Sequence, residues 1–245
     1  MMSFERGTGI GAEPAPAPRV GEAVTSGEVS SAMRLQILST EHWSLLASRS
    51  LAWNESFSRA GMFLTTLTGA IVALALVAQA SAFGDAFTLF ALVILPVVLL
   101  IGVATWIRLG ASNYHEAQCV IGMNRIRAAY LQFAPDLERY FVMSAHDDPP
   151  GLAITMGVLP GRGTLFWLLQ ILSGTGTVVM ILNAVLAGII VALVALRLEG
   201  ASAPLGFGAL GFVVALVLQG LYTRRAIRKV QAGLRPLFPT PPNDR

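Results

Sequence analysis

The chain has 245 residues, of which 54% are hydrophobic and only 13% charged, about half the charge usual for a soluble globular protein. One soluble core of this size cannot hide so many apolar side chains, because surface grows too slowly relative to volume; the composition therefore implies lipid as solvent. A net charge of +3 is too mild a bias to point to nucleic acid, and Cys119, the single cysteine, excludes both an intrachain disulfide and a cysteine-based metal site.

Taken in chain order, the sequence predicts an all-α integral membrane bundle of four transmembrane helices in two hairpins, with cytoplasmic helical extensions. Residues 1–33 hold Glu5, Glu13, Glu22 and Glu28 among Gly, Pro, Ala and Ser, without the apolar run of a secretory leader. Such a stretch buries too little surface to offset the entropy of ordering, so residues 1–38 are expected as a disordered tail. Residues 39–60 read as a cytoplasmic helix, with Ser39 as N-cap and Glu41 in the first turn. Trp43, Leu46, Trp53 and Phe57 fall on one of its faces, interrupted by Ser50, and no breaker precedes Gly61, so the helix runs on into the membrane.

Residues 61–107 form the first expected hairpin. Gly61–Ser81 and Phe87–Ile107 are uncharged and each reaches about 30 Å as a helix, the thickness of the hydrocarbon core. Pro96 should kink the second, and Asp85 marks the water at the connecting turn. In the cytoplasmic segment 108–164, Cys119, Met123, Ile126, Tyr130 and Phe133 recur at helical spacing, with Arg125, Arg127 and Gln132 off the stripe. Pro135 then begins a second helix over DLERYFVM, and HDDPPG (146–151) ends it as a polar turn.

Residues 165–222 hold an interfacial segment and the second hairpin. Leu165–Leu196 is uncharged for 32 residues, too short for two spans. Ser173–Thr177 divides it, leaving 165–177 either in the interface or as part of one long tilted helix. Leu205–Tyr222 is the fourth span, and 223–245 a basic tail. Of the 17 basic residues, 16 lie in segments 1–60, 108–164 and 223–245, and only Arg197 lies elsewhere. Cytoplasmic flanks retain Lys and Arg, so both termini are expected in the cytoplasm, across a bacterial plasma (inner) membrane. Arg in place of Lys, with abundant Ala, Gly and Val, fits a GC-rich bacterial genome.

Candidate sites are few. Gly206–Gly211 matches G-x-G-x-x-G but opens an apolar span, with no acid at the ribose distance, so a dinucleotide site is rejected and helix packing expected. Gly61, Thr65, Gly69 and Ala73, and likewise Ala184, Gly188 and Ala192, are small-residue stripes for packing within the chain or between subunits. Thr65, Thr66, Thr68, Gln79, Asn183 and Gln219 are the polar groups of the spans, which hold no ionisable residue; this counts against an ion-coupled transporter. His115-Glu116 and His146-Asp147-Asp148 are the only clusters with metal-ligand chemistry, without the H-E-x-x-H spacing. Asn54-Glu55-Ser56 is a sequon made inert by its cytoplasmic side. Arg224, Arg225, Arg228 and Lys229 anchor topology beside anionic headgroups. No residue carries a catalytic, cofactor-binding or metal-binding assignment, and no cofactor is expected.

Over Leu38–Leu51 (LSTEHWSLLASRSL), on through Phe57–Phe63, and again from Gly122-Met123-Asn124-Arg125 to Tyr140-Phe141, the chain resembles uncharacterised multi-pass membrane proteins of GC-rich bacteria. That resemblance covers roughly half the chain and implies no activity. In layout alone, helix then two spans then long cytoplasmic helix, it is similar to the SLATT two-span effector domains, thought to form pores in response to nucleotide signals; the second hairpin departs from them. The expected function is a non-enzymatic membrane scaffold or accessory protein. The alternative is a homo-oligomeric pore or uncoupled channel lined by Thr65, Thr68, Asn183 or Gln219. The expected partners are the lipid bilayer and a second copy or another membrane protein, not nucleic acid.

Overall fold

The computed structural model describes residues 30–157, 174–198 and 203–241, all helix, turn or coil with no strand among them. Helix α1 spans Ser31–Ser81, α2 Asp85–Phe133, α3 Pro149–Thr155, α4 Thr175–Arg197 and α5 Pro204–Gly233, with a 3-10 helix at Pro135–Tyr140. Four of these (α1, α2, α4 and α5) are long and apolar enough to cross a membrane.

The first correction concerns where α1 begins. Its N-cap is Ser30, whose hydroxyl accepts from the Met33 N–H at 3.3 Å, rather than Ser39. Residues 31–38 are therefore helical and not tail: Ala-Met-Arg-Leu-Gln favours helix at each position, a signal masked by the Gly/Pro composition upstream. Residues 1–29 lie outside the described part. From Ser31 the helix continues unbroken for 51 residues, about 76 Å, as the missing breaker before Gly61 predicts. It stops at Ser81, where Ala82 and Phe83 take positive φ of 47° and 60°, an unfavourable conformation for residues with a Cβ. The turn closes through the Ala82 N–H on the Ala78 carbonyl.

Asp85 opens α2 with an acid in its first turn, where the helix dipole favours it. This helix also runs through, 49 residues with Pro96 inside it, so the second apolar run and the stripe at Cys119–Phe133 belong to one element. After it the expected α-helix over DLERYFVM is a single 3-10 stretch that ends at Tyr140. The bonds are of i to i+3 type, Leu137 N–H to Ala134 and Phe141 N–H to Glu138. Val142 is 88% exposed, so no buried face repays continuation. At the Ser173–Thr177 break, Gly174 is the extended N-cap of α4. A single continuous helix through the whole uncharged run is therefore not formed; residues 165–173 lie outside the described part.

Helices α1 and α2 pack along each other, α4 along α5, and α2 against α4. Phe63, Leu95, Val98, Leu109, Val179 and Leu186 form the shared core. Outside that core the bundle is apolar as well: Val93, Leu100, Leu205 and Leu218 are each more than 60% exposed. A water-soluble fold seldom shows so large an apolar surface. At the end bearing the α1–α2 turn, Arg197 Nη1 lies 2.9 Å from Asp85 Oδ1 and its Nη2 donates to the Asp85 carbonyl at 3.0 Å. The lone basic residue of the two expected outer loops thus meets the acid of the other loop.

Candidate functional site: a polar clamp on the proline-rich tail

Beyond α5 the chain reads Leu234-Arg-Pro-Leu-Phe-Pro-Thr-Pro241. Prolines at 236, 239 and 241 prevent regular structure and leave three backbone donors between them, those of Leu237, Phe238 and Thr240. Two acids receive all three. Asp147 Oδ2 accepts from Leu237 at 2.9 Å and its Oδ1 from Phe238 at 2.8 Å. Asp148 Oδ2 accepts from Thr240 N–H at 2.9 Å, while its Oδ1 takes the Thr240 hydroxyl at 2.8 Å. The Asp147 N–H donates in turn to the Phe238 carbonyl, and Arg125 Nη2 donates to the Arg235 carbonyl at 3.3 Å.

The acids are placed by α2 and α3. The N-cap of α3 is Asp148, accepting from the Gly151 N–H at 3.1 Å. Asp147 lies 2.7 Å from Arg125 Nε, its own side chain fully buried. Beneath both sits Asn124, itself 0% exposed. Its Nδ2 donates to the carbonyls of His146 and Gly151, and its Oδ1 accepts from Arg127 Nη1 at 2.7 Å and Thr155 Oγ1 at 3.0 Å. A buried amide offers four hydrogen-bonding positions, and here all four are filled. Gly151 is required at its place because a Cβ there would collide with the His146 carbonyl.

Burial pushes the Asp147 carboxyl up, but the Leu237 N–H, the Arg125 guanidinium and the Phe238 N–H together outweigh it and hold the group below the ordinary carboxylate value. Its oxygens are engaged by donors of the chain itself, which makes the site one of recognition. The expectation that HDDPPG is a plain polar turn is thus corrected: Asp147 and Asp148 are buried ligands of the tail, and Pro149 starts α3. What the sequence offered as a clue was Asp-Asp before Pro-Pro-Gly, an N-cap signature; the distant tail gave none.

The first stretch of α1 is tied to α2 by further polar contacts. Arg49 Nη2 meets Glu116 Oε1 at 2.9 Å with Glu116 only 12% exposed, and Glu55 accepts from both Arg59 and Arg108 at 2.9 Å. His42 stacks on Tyr130 at 6.0 Å with rings 7° apart. Burial, and secondarily the Arg127 charge, lower the His42 pKa. Glu116 therefore serves an ion pair, and His115 Nε2 lies 3.8 Å from Cys119 Sγ. Among the described residues no three His, Cys, Asp or Glu side chains converge as metal ligands.

The other expected sites separate. Thr65 and Thr68 lie exposed on α1, with the Thr68 hydroxyl bonded back to Leu64, whereas Asn183 is 0% exposed. Asn183 Nδ2 donates to Gln219 Oε1, and Gln219 Nε2 reaches the Met180 and Ala215 carbonyls. Within one chain the exposed Thr65 and Thr68 therefore share no surface with the bonded pair Asn183 and Gln219. The amide oxygen of Asn183, which has no hydrogen-bond partner among the described residues, rests where a Cβ on Gly102 would stand, beside the Phe63 ring. The stripe Ala184, Gly188, Ala192 packs on α5, where a Cβ on Gly188 would come within 2.8 Å of the Gly208 carbonyl. Gly208 and Gly211 of the G-x-G-x-x-G string face Ala192 and Val191, the close helix approach expected of them. By contrast a Cβ on Gly61 or Gly69 would meet nothing within 4 Å, so these two glycines of the other stripe serve no close approach within the described chain.

Two further stretches read from the sequence acquire their surroundings. Trp43, Leu46, Trp53 and Phe57 point outward, 41–69% exposed, while Ala52 and Ala60 are the buried residues of this part of α1. Small residues let α2 approach, and the large ones are left outside. Arg125 and Arg127, placed off the apolar stripe of α2, both engage the clamp.

Fold and site together define an all-helical protein with four candidate membrane-crossing helices and a self-bound tail. Compared with protein-family models, curated proteins and solved structures, the chain matches none.

Proposed function

We propose that this chain is a multi-pass protein of a bacterial plasma membrane, two hairpins with both termini in the cytoplasm, acting as a non-enzymatic scaffold whose water-side helices carry its contacts. The observation that supports it is the clamp. Asp147 and Asp148 join the segment after α2 to the tail after α5, while Arg49–Glu116 joins the start of α1 to the same helix α2. The three arginine-bearing segments thereby meet at one end of the bundle, and Arg197 with Asp85 at the other, which is the arrangement the positive-inside rule requires. A clamp whose acids are taken up by backbone N–H groups, the Arg125 guanidinium and the Thr240 hydroxyl holds a surface in shape and leaves neither carboxylate free as acid or base.

The test is a set of reporter fusions at Phe83, Met143 and Pro241, with the reconstituted protein assayed for ion flux. Cytoplasmic signals at Met143 and Pro241, an external one at Phe83 and no flux are expected. An external signal at Met143 would overturn the topology, and a flux above that of empty vesicles would favour the pore.

A further inference from the structure

Every carboxylate oxygen of Asp147 and Asp148 accepts from the tail, three from main-chain N–H groups and one from the Thr240 hydroxyl. In return the Asp147 N–H and Arg125 donate to the carbonyls of Phe238 and Arg235. The tail's side chains take little part. Leu237 is 65% exposed, Arg235, Pro236, Pro239 and Pro241 are exposed as well, Phe238 is partly covered, and Thr240 is buried. The site therefore reads the spacing of donors along a bent segment and little of its side-chain identity. It requires N–H groups at the second, third and fifth places of Pro-x-x-Pro-Thr and a hydroxyl at the fifth. The two prolines of that pattern fix φ in advance, so a segment of this kind loses less freedom on binding.

The tail reaches the site on an arm of α5. Tyr222 lies against Trp106 of α2 with ring centroids 5.3 Å apart, but beyond it residues 224–229 and 231–233 are exposed. The seat of the tail thus depends on its own bonds and on its tether. A ligand held through its main chain at the end of an exposed arm owes its place to high local concentration, and a segment with the same donor spacing competes for it.

We infer that the Asp147–Asp148 site is a peptide-binding site in which the tail is a displaceable occupant, and that a Pro-x-x-Pro-Thr segment of another chain takes its place. This names the kind of partner for the scaffold reading and rests on it. The incoming segment is the tail of a neighbouring copy or a segment of a different protein; the chemistry that seats it is the same.

The probe is a synthetic peptide of residues 234–241, titrated against the full-length chain in mild detergent. In the wild type it competes with a tethered copy of itself. Phe238→Pro removes a donor from that copy and should tighten the apparent affinity of the peptide about 10-fold or more. The same peptide, N-methylated at the residues matching Leu237 and Phe238, should not bind. Asp148→Asn keeps an N-cap on α3 but gives up one acceptor, and should weaken binding when combined with Phe238→Pro. If Phe238→Pro disturbs folding, the wild type decides: excess peptide should quicken hydrogen exchange at the Leu237 and Phe238 amides of the isotope-labelled chain. Binding of the methylated peptide, or no binding to Phe238→Pro together with unmoved exchange in the wild type, overturns the site. Co-purification of a Phe238→Pro chain with a differently tagged Asp148→Asn chain identifies a neighbouring copy as the source, and peptide binding without it identifies a different protein. Reporter signals outside the cell at Met143 and Pro241 would sink the placement and leave peptide binding intact, whereas cytoplasmic signals without binding sink the site alone.

Discussion

Asp147 and Phe238, far apart in sequence, exchange hydrogen bonds in both directions: the Phe238 N–H donates to Asp147 Oδ1 at 2.8 Å, and the Asp147 N–H to the Phe238 carbonyl at 3.2 Å. The exchange fixes a segment with no regular structure of its own. It also makes the placement of Leu237 and Phe238 depend on one carboxylate, that of Asp147.

Asp147→Asn should release that segment. An amide nitrogen replaces one acceptor and the charge that balances Arg125 is lost, an expected cost of about 3 kcal/mol. Hydrogen exchange at the Leu237 and Phe238 amides should then quicken on the order of 100-fold. The pH dependence has a definite sign. The folded pKa of Asp147 is depressed, so its contribution is complete above the ordinary carboxylate value and disappears as pH falls through the lower folded one. Unchanged protection in the variant would show that the tail is held by other contacts.

His42 titrates in a different window. Its folded pKa lies below the ordinary value, so the unfolded chain binds more protons there and stability declines as pH falls from the unperturbed value, about 6.5, toward the folded one. Thermal unfolding in detergent should show that decline in the wild type. His42→Phe, which keeps a ring on Tyr130 without a titratable group, should flatten it.

Gly102→Ala should separate α4 from α2. The new methyl would occupy the place of Asn183 Oδ1 and crowd Phe63, and overpacking of this kind costs about 1–3 kcal/mol. Asn183→Ala in the same chain should recover part of the loss, because it vacates the site. A double-mutant cycle measures the coupling; additive losses would mean that the two residues do not share the space.

Arg49→Ala should destabilise more than Arg59→Ala. The first leaves Glu116, 12% exposed, without its ion-pair partner, whereas Glu55 retains Arg108 when Arg59 is removed. A difference of about 1–3 kcal/mol is expected, read as the midpoint of thermal unfolding.

The four apolar helices were legible because an uncharged apolar run of about 20 residues matches the thickness of a bilayer and little else. The unbroken passage of α1 through Gly61 was legible too, from the absence of a breaker. The facing of its first stretch was not. Trp43, Leu46, Trp53 and Phe57 share one face by spacing, but the buried residues of this stretch are Ala52 and Ala60. Periodicity reports that an apolar face exists, and side-chain size decides which face a neighbour can reach. The clamp was hidden by its own chemistry. Leu237 and Phe238 engage Asp147 through backbone N–H groups, which every residue but proline has, and of the three tail residues only Thr240 adds a side-chain bond, its hydroxyl to Asp148.

The uninterrupted course of α1 has a mechanical meaning. It contains no proline and no local departure from helix between Ser31 and Ser81, and thus no joint at which a displacement can be absorbed. A tilt or twist imposed near Trp43 travels along a stiff rod to Leu76, so the two ends of that rod move as one lever.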